Sequence, residues 1–151
     1  MRASLQRSVD TCIFCAIAHG NVEAAVLYED EFILAFMDRE PIRRGHVQII
    51  PREHWETYDV LPPHLLEKII AFAQLLAKRL KELNHVERVA FVFTGGDVAH
   101  AHAHVLPMVE MTDITSGQYI LPPKPRLSSS HLRTSLEDLR ASAAEIGDLK
   151  L

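Results

Sequence analysis

Residues 100 to 108 read HAHAHVLPM, three histidines at every second position with only alanines between them. Histidine is the side chain whose charge state and ring nitrogens are most useful near neutral pH. Crowding imidazoles together makes each harder to protonate, so such a run is costly unless it has a use. With 9 histidines in 151 residues, composition alone produces an H-x-H-x-H run at about 3 %, which favours a chemical reading. Along an extended chain the side chains alternate faces. His100, His102 and His104 therefore share one face, and Ala101, Ala103 and Val105 share the other. Two alanines at the back imply an element packed closely behind the strand. Three histidines can hold a catalytic zinc, and a buried hydrogen-bonded ladder is the bland alternative. The outer two Cβ atoms, however, stand about 13 Å apart on a flat strand, which suits separate tasks for the three rings better than one tetrahedral ion.

Other residues carry chemistry only in combination. Cys12 and Cys15 are the only cysteines and form C-I-F-C. That spacing is a metal half-site or a redox pair, or else two small buried apolar side chains. His46 in "RGHV" reads alone as a hydrogen-bonded loop residue, and Asp38 in "AFMD" as a turn former. Ile13, Phe14, Ile17 and Phe36 read alone as core.

The elements that must position these residues follow from patterning. Residues 1–9 read as a flexible arm. Ala25 to Tyr28 and Phe32 to Phe36 are apolar runs split by Glu29-Asp30-Glu31, a hairpin pattern. "HVQIIP" is a third strand stopped by Pro51. A long helix begins near Pro62-Pro63, its stripe formed by Leu65, Leu66, Ile69, Phe72, Ala73, Leu76, Leu80 and Leu83, with Asn84 as its stop. "VERVAFVFTGG" and "HAHAHVLPMVE" are the fourth and fifth strands. After a polar, proline-rich stretch, T-S-L-E from Thr134 offers a capping box for a final helix. The expected class is α+β, an antiparallel sheet of about five strands with one long helix and a C-terminal helix.

Composition excludes several classes. A net charge of −4 supplies no basic field for nucleic acid. No apolar run approaches the ~20 residues that span a bilayer, and MRASLQRSVD lacks a secretory apolar region. The expected location is the cytoplasm.

"GGDVAHAHAHVLP", together with "CIFCAIAHG" and "YEDEFILAFMDREPIRRGHVQIIPREHW", resembles the histidine triad (HIT) family across about residues 10–111. The resemblance implies a HIT domain over 10–111 followed by a C-terminal extension, 112–151. It implies a nucleotide-binding hydrolase or transferase that cleaves at the α-phosphorus of purine nucleotides, of the phosphoramidate or dinucleoside polyphosphate type, through a nucleotidyl-histidine intermediate. By this likeness His102 is the nucleophile, aimed at the incoming nucleotide, His46 lies beside it, and His104 serves the phosphate and leaving group. Asp38 takes the ribose hydroxyls, and Ile13, Phe14, Ile17 and Phe36 surround the base. A structural zinc on Cys12, Cys15, His54 and His100 is implied, with no metal needed for the chemistry, and so is a homodimer joined edge to edge.

The likeness weakens in the phosphate loop, "FTGGDVAH". Thr94 can supply a hydroxyl, and Gly95 and Gly96 let backbone N–H groups approach an anion. Asp97 stands where many relatives have a phosphate-facing serine, and would repel an α-phosphate unless it is turned away or offset. Arg43 and Arg44 are candidates for the offsetting charge. Two further readings stay open: a non-catalytic, zinc-stabilised nucleotide-binding module with an altered phosphate loop, and a catalytic metal on the three triad histidines.

Overall fold

The computed structural model describes residues 11–95, 98–110, 113–114 and 134–150. Strands β1 (Val26–Glu29) and β2 (Ile33–Met37) form the expected antiparallel hairpin. Its turn is held by Asp30, whose Oδ1 accepts from the Phe32 and Ile33 N–H groups at 2.8 and 2.9 Å, the usual Asx device. Lys68 pairs with the same carboxylate at 2.8 Å, tying the turn to the long helix. Strand β3 (Val47–Pro51) follows, then β4 (Val89–Thr94) and β5 (His102–Pro107). The order is β1-β2-β3-β5-β4, antiparallel throughout.

Helix α1 (Ile13–Ala18) was not expected from the sequence. Six residues are fewer than two turns, too short to show a helical period. Its Phe14, Cys15 and Ala18 pack with Leu34, Phe36 and Ile50 on one face of the sheet. Helix α2 (Pro63–Asn84) covers the opposite face and buries Leu65, Ile69, Phe72, Ala73, Leu76 and Leu80. That stripe meets Ala35, Val47, Ile49, Ala101, Ala103 and Val105. The two alanines flanking His102 therefore do lie under a close element. The helix stop is carried by His85, in the left-handed region at φ 52°, while Asn84 turns back and donates from Nδ2 to the Leu80 carbonyl at 2.9 Å.

Helix α3 (Leu136–Ile146) starts one residue later than the capping box suggested. Ser135, not Thr134, is the cap, its Oγ accepting from Asp138 N at 3.1 Å. Leu139, Ala143 and Ile146 join the core beneath the sheet. Arg79 of α2 donates to the Glu145 and Ile146 carbonyls at 3.0 and 2.9 Å, a cation at a helix C-terminus where the dipole favours one. Among the described residues no helix is long and apolar enough to cross a membrane.

Gly45 occupies a position that only glycine fits well. Its φ is +91°, and a Cβ there would stand 3.2 Å from Leu80 Cδ2. It is also the residue before His46. Gly45→Ala is expected to lower the unfolding free energy by about 1–3 kcal/mol, read as a reduced midpoint in urea. An unchanged midpoint would mean that this turn relaxes without cost.

Candidate functional site

Period-two alternation explains which side chains meet on the face opposite α2. Phe36 pairs with Gln48 across β2 and β3, Gln48 with His104 across β3 and β5, and Val92 with His104 across β5 and β4. Paired residues share a face, as do residues two apart. Phe36 and Asp38, His46 and Gln48, His102 and His104, and Thr94 are thereby gathered on one surface. Strand β5 begins at His102, two residues later than expected, and His100 sits in the bend before it.

The hydrogen bonds at the ends of this cluster determine which ring nitrogens carry protons. His100 Nε2 lies 3.0 Å from the Pro51 carbonyl and His102 Nδ1 lies 2.6 Å from the His100 carbonyl. A carbonyl only accepts, so both nitrogens are N–H donors. In the neutral rings, His100 Nδ1 and His102 Nε2 are then bare lone pairs. His46 is fixed from the other side, because its Nδ1 accepts from the Ile42 N–H at 3.2 Å. Its Nε2 therefore holds the proton and donates to His104 Nδ1 at 2.9 Å. Burial pushes the His46 pKa down, against the pull of Asp38, which keeps the ring neutral.

Two expectations need correction here. His46 is held against His104 rather than His102, because the register places Gln48 opposite His104 and His46 lies on the same face, two residues earlier. The orienting partner of His102 is the backbone carbonyl of His100. His102 is also more enclosed than an imidazole aimed outward would be, at 3 % exposure. Phe14 packs on it edge-on at 5.1 Å between ring centroids, and Thr94 Oγ1 lies 3.1 Å from its Nε2.

Asp38 is buried and already engaged. Its Oδ1 accepts from Glu40 N at 2.8 Å and its Oδ2 from Gln48 Nε2 at 2.6 Å. A carboxylate has about four acceptor positions, so each oxygen retains capacity for one more donor. Gln48 was missed in the sequence, although the alternation of "HVQIIP" puts it on the face of His46. Of the four proposed base-pocket residues, Phe14 and Phe36 are buried in mutual edge contact at 5.8 Å, whereas Ile13 is 43 % exposed and Ile17 is half-buried. Among the described residues nothing lies within 4 Å of where a Cβ on Gly95 would stand. Gly96 and Asp97 lie outside the described residues.

The described carboxylate partners of the two arginines lie outside the phosphate loop. Arg43 makes a two-pronged pair with Asp113, at 2.9 Å from Nε and 2.5 Å from Nη2, and Arg44 pairs with Glu145 of α3. Asp113, buried to 2 % exposure, also accepts from the Val109 and Glu110 N–H groups. Sequence reading gave no hint of it, since the partners lie 70 residues apart. The Arg43 bond, outweighing burial, holds its carboxyl below the ordinary 3.8. This clamp fastens the chain after β5 to the loop whose Arg43 carbonyl accepts the His46 N–H at 3.1 Å.

Among the described residues two groups of donors are close enough for a cation: Cys12, Cys15, His54 and His100, and Asp38, His46 and His104. The first group fits one. Cys12 and Cys15 Sγ lie 3.4 and 3.5 Å from His100 Nδ1, and Cys15 Sγ lies 3.2 Å from His54 Nδ1. Tetrahedral zinc with ordinary bond lengths needs S···N separations of about 3.5 Å. The His100 lone pair faces both sulfurs because Pro51 fixes the other nitrogen, the arrangement that orients a metal-binding imidazole. Burial, then the neighbouring Cys12, pushes the Cys15 thiol up to about 12, so two thiolates here require a cation. Burial lowers His100 to about 4, leaving it neutral, as a ligand must be. The second group does not fit, since His46 Nε2 points a proton, not a lone pair, at the shared centre.

Comparison with known proteins gives the family and the fold. The family model described as HIT domain matches residues 19–111. An uncharacterized HIT-like protein of Methanocaldococcus jannaschii is 37 % identical over 107 residues, 66 % of this chain and 80 % of the relative. An adenylylsulfatase of Arabidopsis thaliana is 28 % identical over 104 residues, 66 % of this chain and 53 % of its own. A crystal structure of a zinc-bound histidine triad family protein from Mycobacterium smegmatis superposes with a TM-score of 0.65 at 30 % identity, covering 91 % of this chain and 96 % of that one.

Replacing the Asp113 carboxylate by an amide should cost about 2 kcal/mol at pH 7, the worth of a charge-assisted hydrogen bond. A carboxyl with a depressed folded pKa contributes stability above its unfolded value, and this is lost as pH falls through the folded value. The difference between wild type and Asp113→Asn in urea unfolding should therefore shrink below about pH 3.8. A difference independent of pH would contradict the clamp.

Proposed function

This chain belongs to the HIT domain family, and on that premise we propose that it is a nucleotide-binding hydrolase or transferase. Its substrates are purine nucleotides carrying a leaving group on the α-phosphorus, phosphoramidates or dinucleoside polyphosphates among them. The adenylylsulfatase relative supports an adenylyl group as the part recognised. The observation that carries this reading is the 2.6 Å bond from His102 Nδ1–H to the His100 carbonyl, which leaves the Nε2 lone pair on the face shared with His104 and Asp38.

In the first step a bond forms from His102 Nε2 to phosphorus while the bond to the leaving group breaks. The leaving group departs with the electron pair and takes its proton from solvent, and the His104 Nε2–H is placed to donate a hydrogen bond to the charge that develops on it. The imidazolium so formed is stabilised by the same Nδ1–H···O=C bond, the role an orienting acceptor plays in histidine catalysis. In the second step water adds to phosphorus and releases a proton to solvent, the P–N bond breaks with its electron pair returning to His102 Nε2, and the neutral ring is restored. Asp38, with spare acceptor capacity on both oxygens, takes the ribose hydroxyls, and Phe14 and Phe36 give the base an apolar border.

Cys12, Cys15, His54 and His100 would hold zinc, whose contribution is structural. Bridging α1 to the bend before β5, it holds the His100 carbonyl in place for His102. Strand β4 supports a homodimer. It is an edge strand of six uncharged residues without proline, and Phe91 on it is 41 % exposed. Such an edge is ordinarily blunted or paired.

His102→Ala should reduce turnover of adenosine phosphoramidate and diadenosine polyphosphates by at least about 10³-fold, as loss of a covalent nucleophile does. Acid quench of the wild type during turnover should trap an adenylylated His102 peptide. Equal turnover by the two proteins would end the reading, and AMP binding without any adduct would favour a non-catalytic module. Native mass spectrometry should find two subunits with one zinc each, and Cys15→Ser should lose the metal. A metal-free wild type purified without chelator would contradict the zinc assignment.

A further inference from the structure

Three features stand outside that reading: the acceptor Gln48 Oε1, buried without a partner, the exposed edge of β4, and the hydroxyl of Thr94. The first is shut off from any ligand, and the second belongs to the dimer already proposed. Thr94 carries an argument. It is directly opposite His102 in the β4–β5 register, and its Oγ1 lies 3.1 Å from His102 Nε2 and 3.0 Å from His104 Nε2. One hydroxyl thus touches both rings.

A hydroxyl has one proton to donate and can accept in return, so the two contacts must run in opposite senses. Their direction follows from the two ends of the cluster. Ile42 N–H donates to His46 Nδ1, and His46 Nε2–H donates to His104 Nδ1. The proton of neutral His104 is therefore on Nε2, where it donates to Thr94 Oγ1. At the far end the His100 carbonyl takes the Nδ1 proton of His102, so Nε2 is bare and accepts the Thr94 hydroxyl proton. The five bonds form a single directed chain from the Ile42 amide to the His100 carbonyl, and no other proton placement satisfies every link with neutral rings.

We infer that Thr94 is a positioning residue that bridges the His104 Nε2–H and the His102 Nε2 lone pair, and that it covers the attacking nitrogen until substrate arrives. The inference rests on His102 as nucleophile only for its kinetic consequence. It accounts for the 3 % exposure of His102. A rotation about Thr94 χ1 between staggered wells moves the hydroxyl off Nε2, and a phosphate oxygen is the acceptor that replaces it. The same rotation withdraws Thr94 Oγ1 from the His104 Nε2–H, on the side assigned to the leaving group. One small motion therefore presents a lone pair and a proton donor together. Thr94 in this role differs from a simple phosphate contact, because its removal alters the rings before any nucleotide binds.

The test is histidine-ring ¹⁵N NMR on the ligand-free, zinc-loaded full chain, compared for wild type, Thr94→Val and Thr94→Ser. Wild type should show His102 as the Nδ1–H form and His104 as the Nε2–H form. Thr94→Val keeps the shape and, with both rings still fixed by the Ile42 N–H and the His100 carbonyl, both tautomers, but should move the His102 Nε2 signal downfield toward that of an unbonded ring nitrogen; Thr94→Ser should restore the wild-type position. In turnover, Thr94→Val should lower kcat about tenfold, the worth of one hydrogen bond, with KM changed less than twofold, and Thr94→Ser should recover most of it. An unshifted His102 Nε2 signal in Thr94→Val overturns the bridge whatever the activity, and so does an unchanged kcat. A wild type with no turnover at all would count against the proposed reaction, while the NMR comparison would still decide the role of Thr94.

Discussion

The closeness of α2 to the back of β5 is the constraint from which the site descends. Ala101 and Ala103 are 2 % and 0 % exposed, pressed between the strand and a helix whose Leu76 and Leu80 are completely buried. With only methyl groups between, helix and strand approach closely, and interiors at native packing density leave no slack for the strand to slide. A shift of register by one residue would turn the alanines outward and bury the histidines under α2. The core therefore holds the chemical face in place from behind, and the histidines need contribute nothing to that positioning.

On the front, order comes from hydrogen-bond direction. Imidazole can donate from either nitrogen, so four adjacent rings have many proton arrangements in isolation. Backbone groups remove that freedom, since an amide only donates and a carbonyl only accepts. The Ile42 N–H, the Pro51 carbonyl and the His100 carbonyl act as fixed ends. Burial assists by keeping His46 and His100 neutral. The same logic separates the two donor clusters. The lone pair of His100 is turned toward two sulfurs, whereas the proton of His46 is turned toward the place a cation would need.

Much of this was legible in the chain. The stripe from Leu65 to Leu80, the hairpin around Asp30 and the antiparallel class reflect local period or residue chemistry, whereas the pairing of C-x-x-C with His54 and His100 came only from the family resemblance. What escaped detection has a common physical cause. Helix α1 is too short for its period to register. Asp113 is an ordinary acidic residue in sequence, and becomes a clamp only because Arg43 folds against it. The partner of His46 depends on how β3 is registered on β5, which neither segment states by itself. Arg43 and Arg44 look available as charges until their carboxylate partners are placed beside them.

Sequence alone determined that three imidazoles share a face, that small residues stand behind them and that two cysteines stand at a spacing open to a metal. Each of these follows from the two-residue period of a strand or from the chemistry of single side chains, quantities that need no knowledge of the rest of the molecule. Tertiary structure decided which ring touches which, where each proton resides and how far His102 is enclosed. Those depend on contacts between strands and loops far apart in the chain, and a hydrogen bond has a direction only once both of its ends are in place.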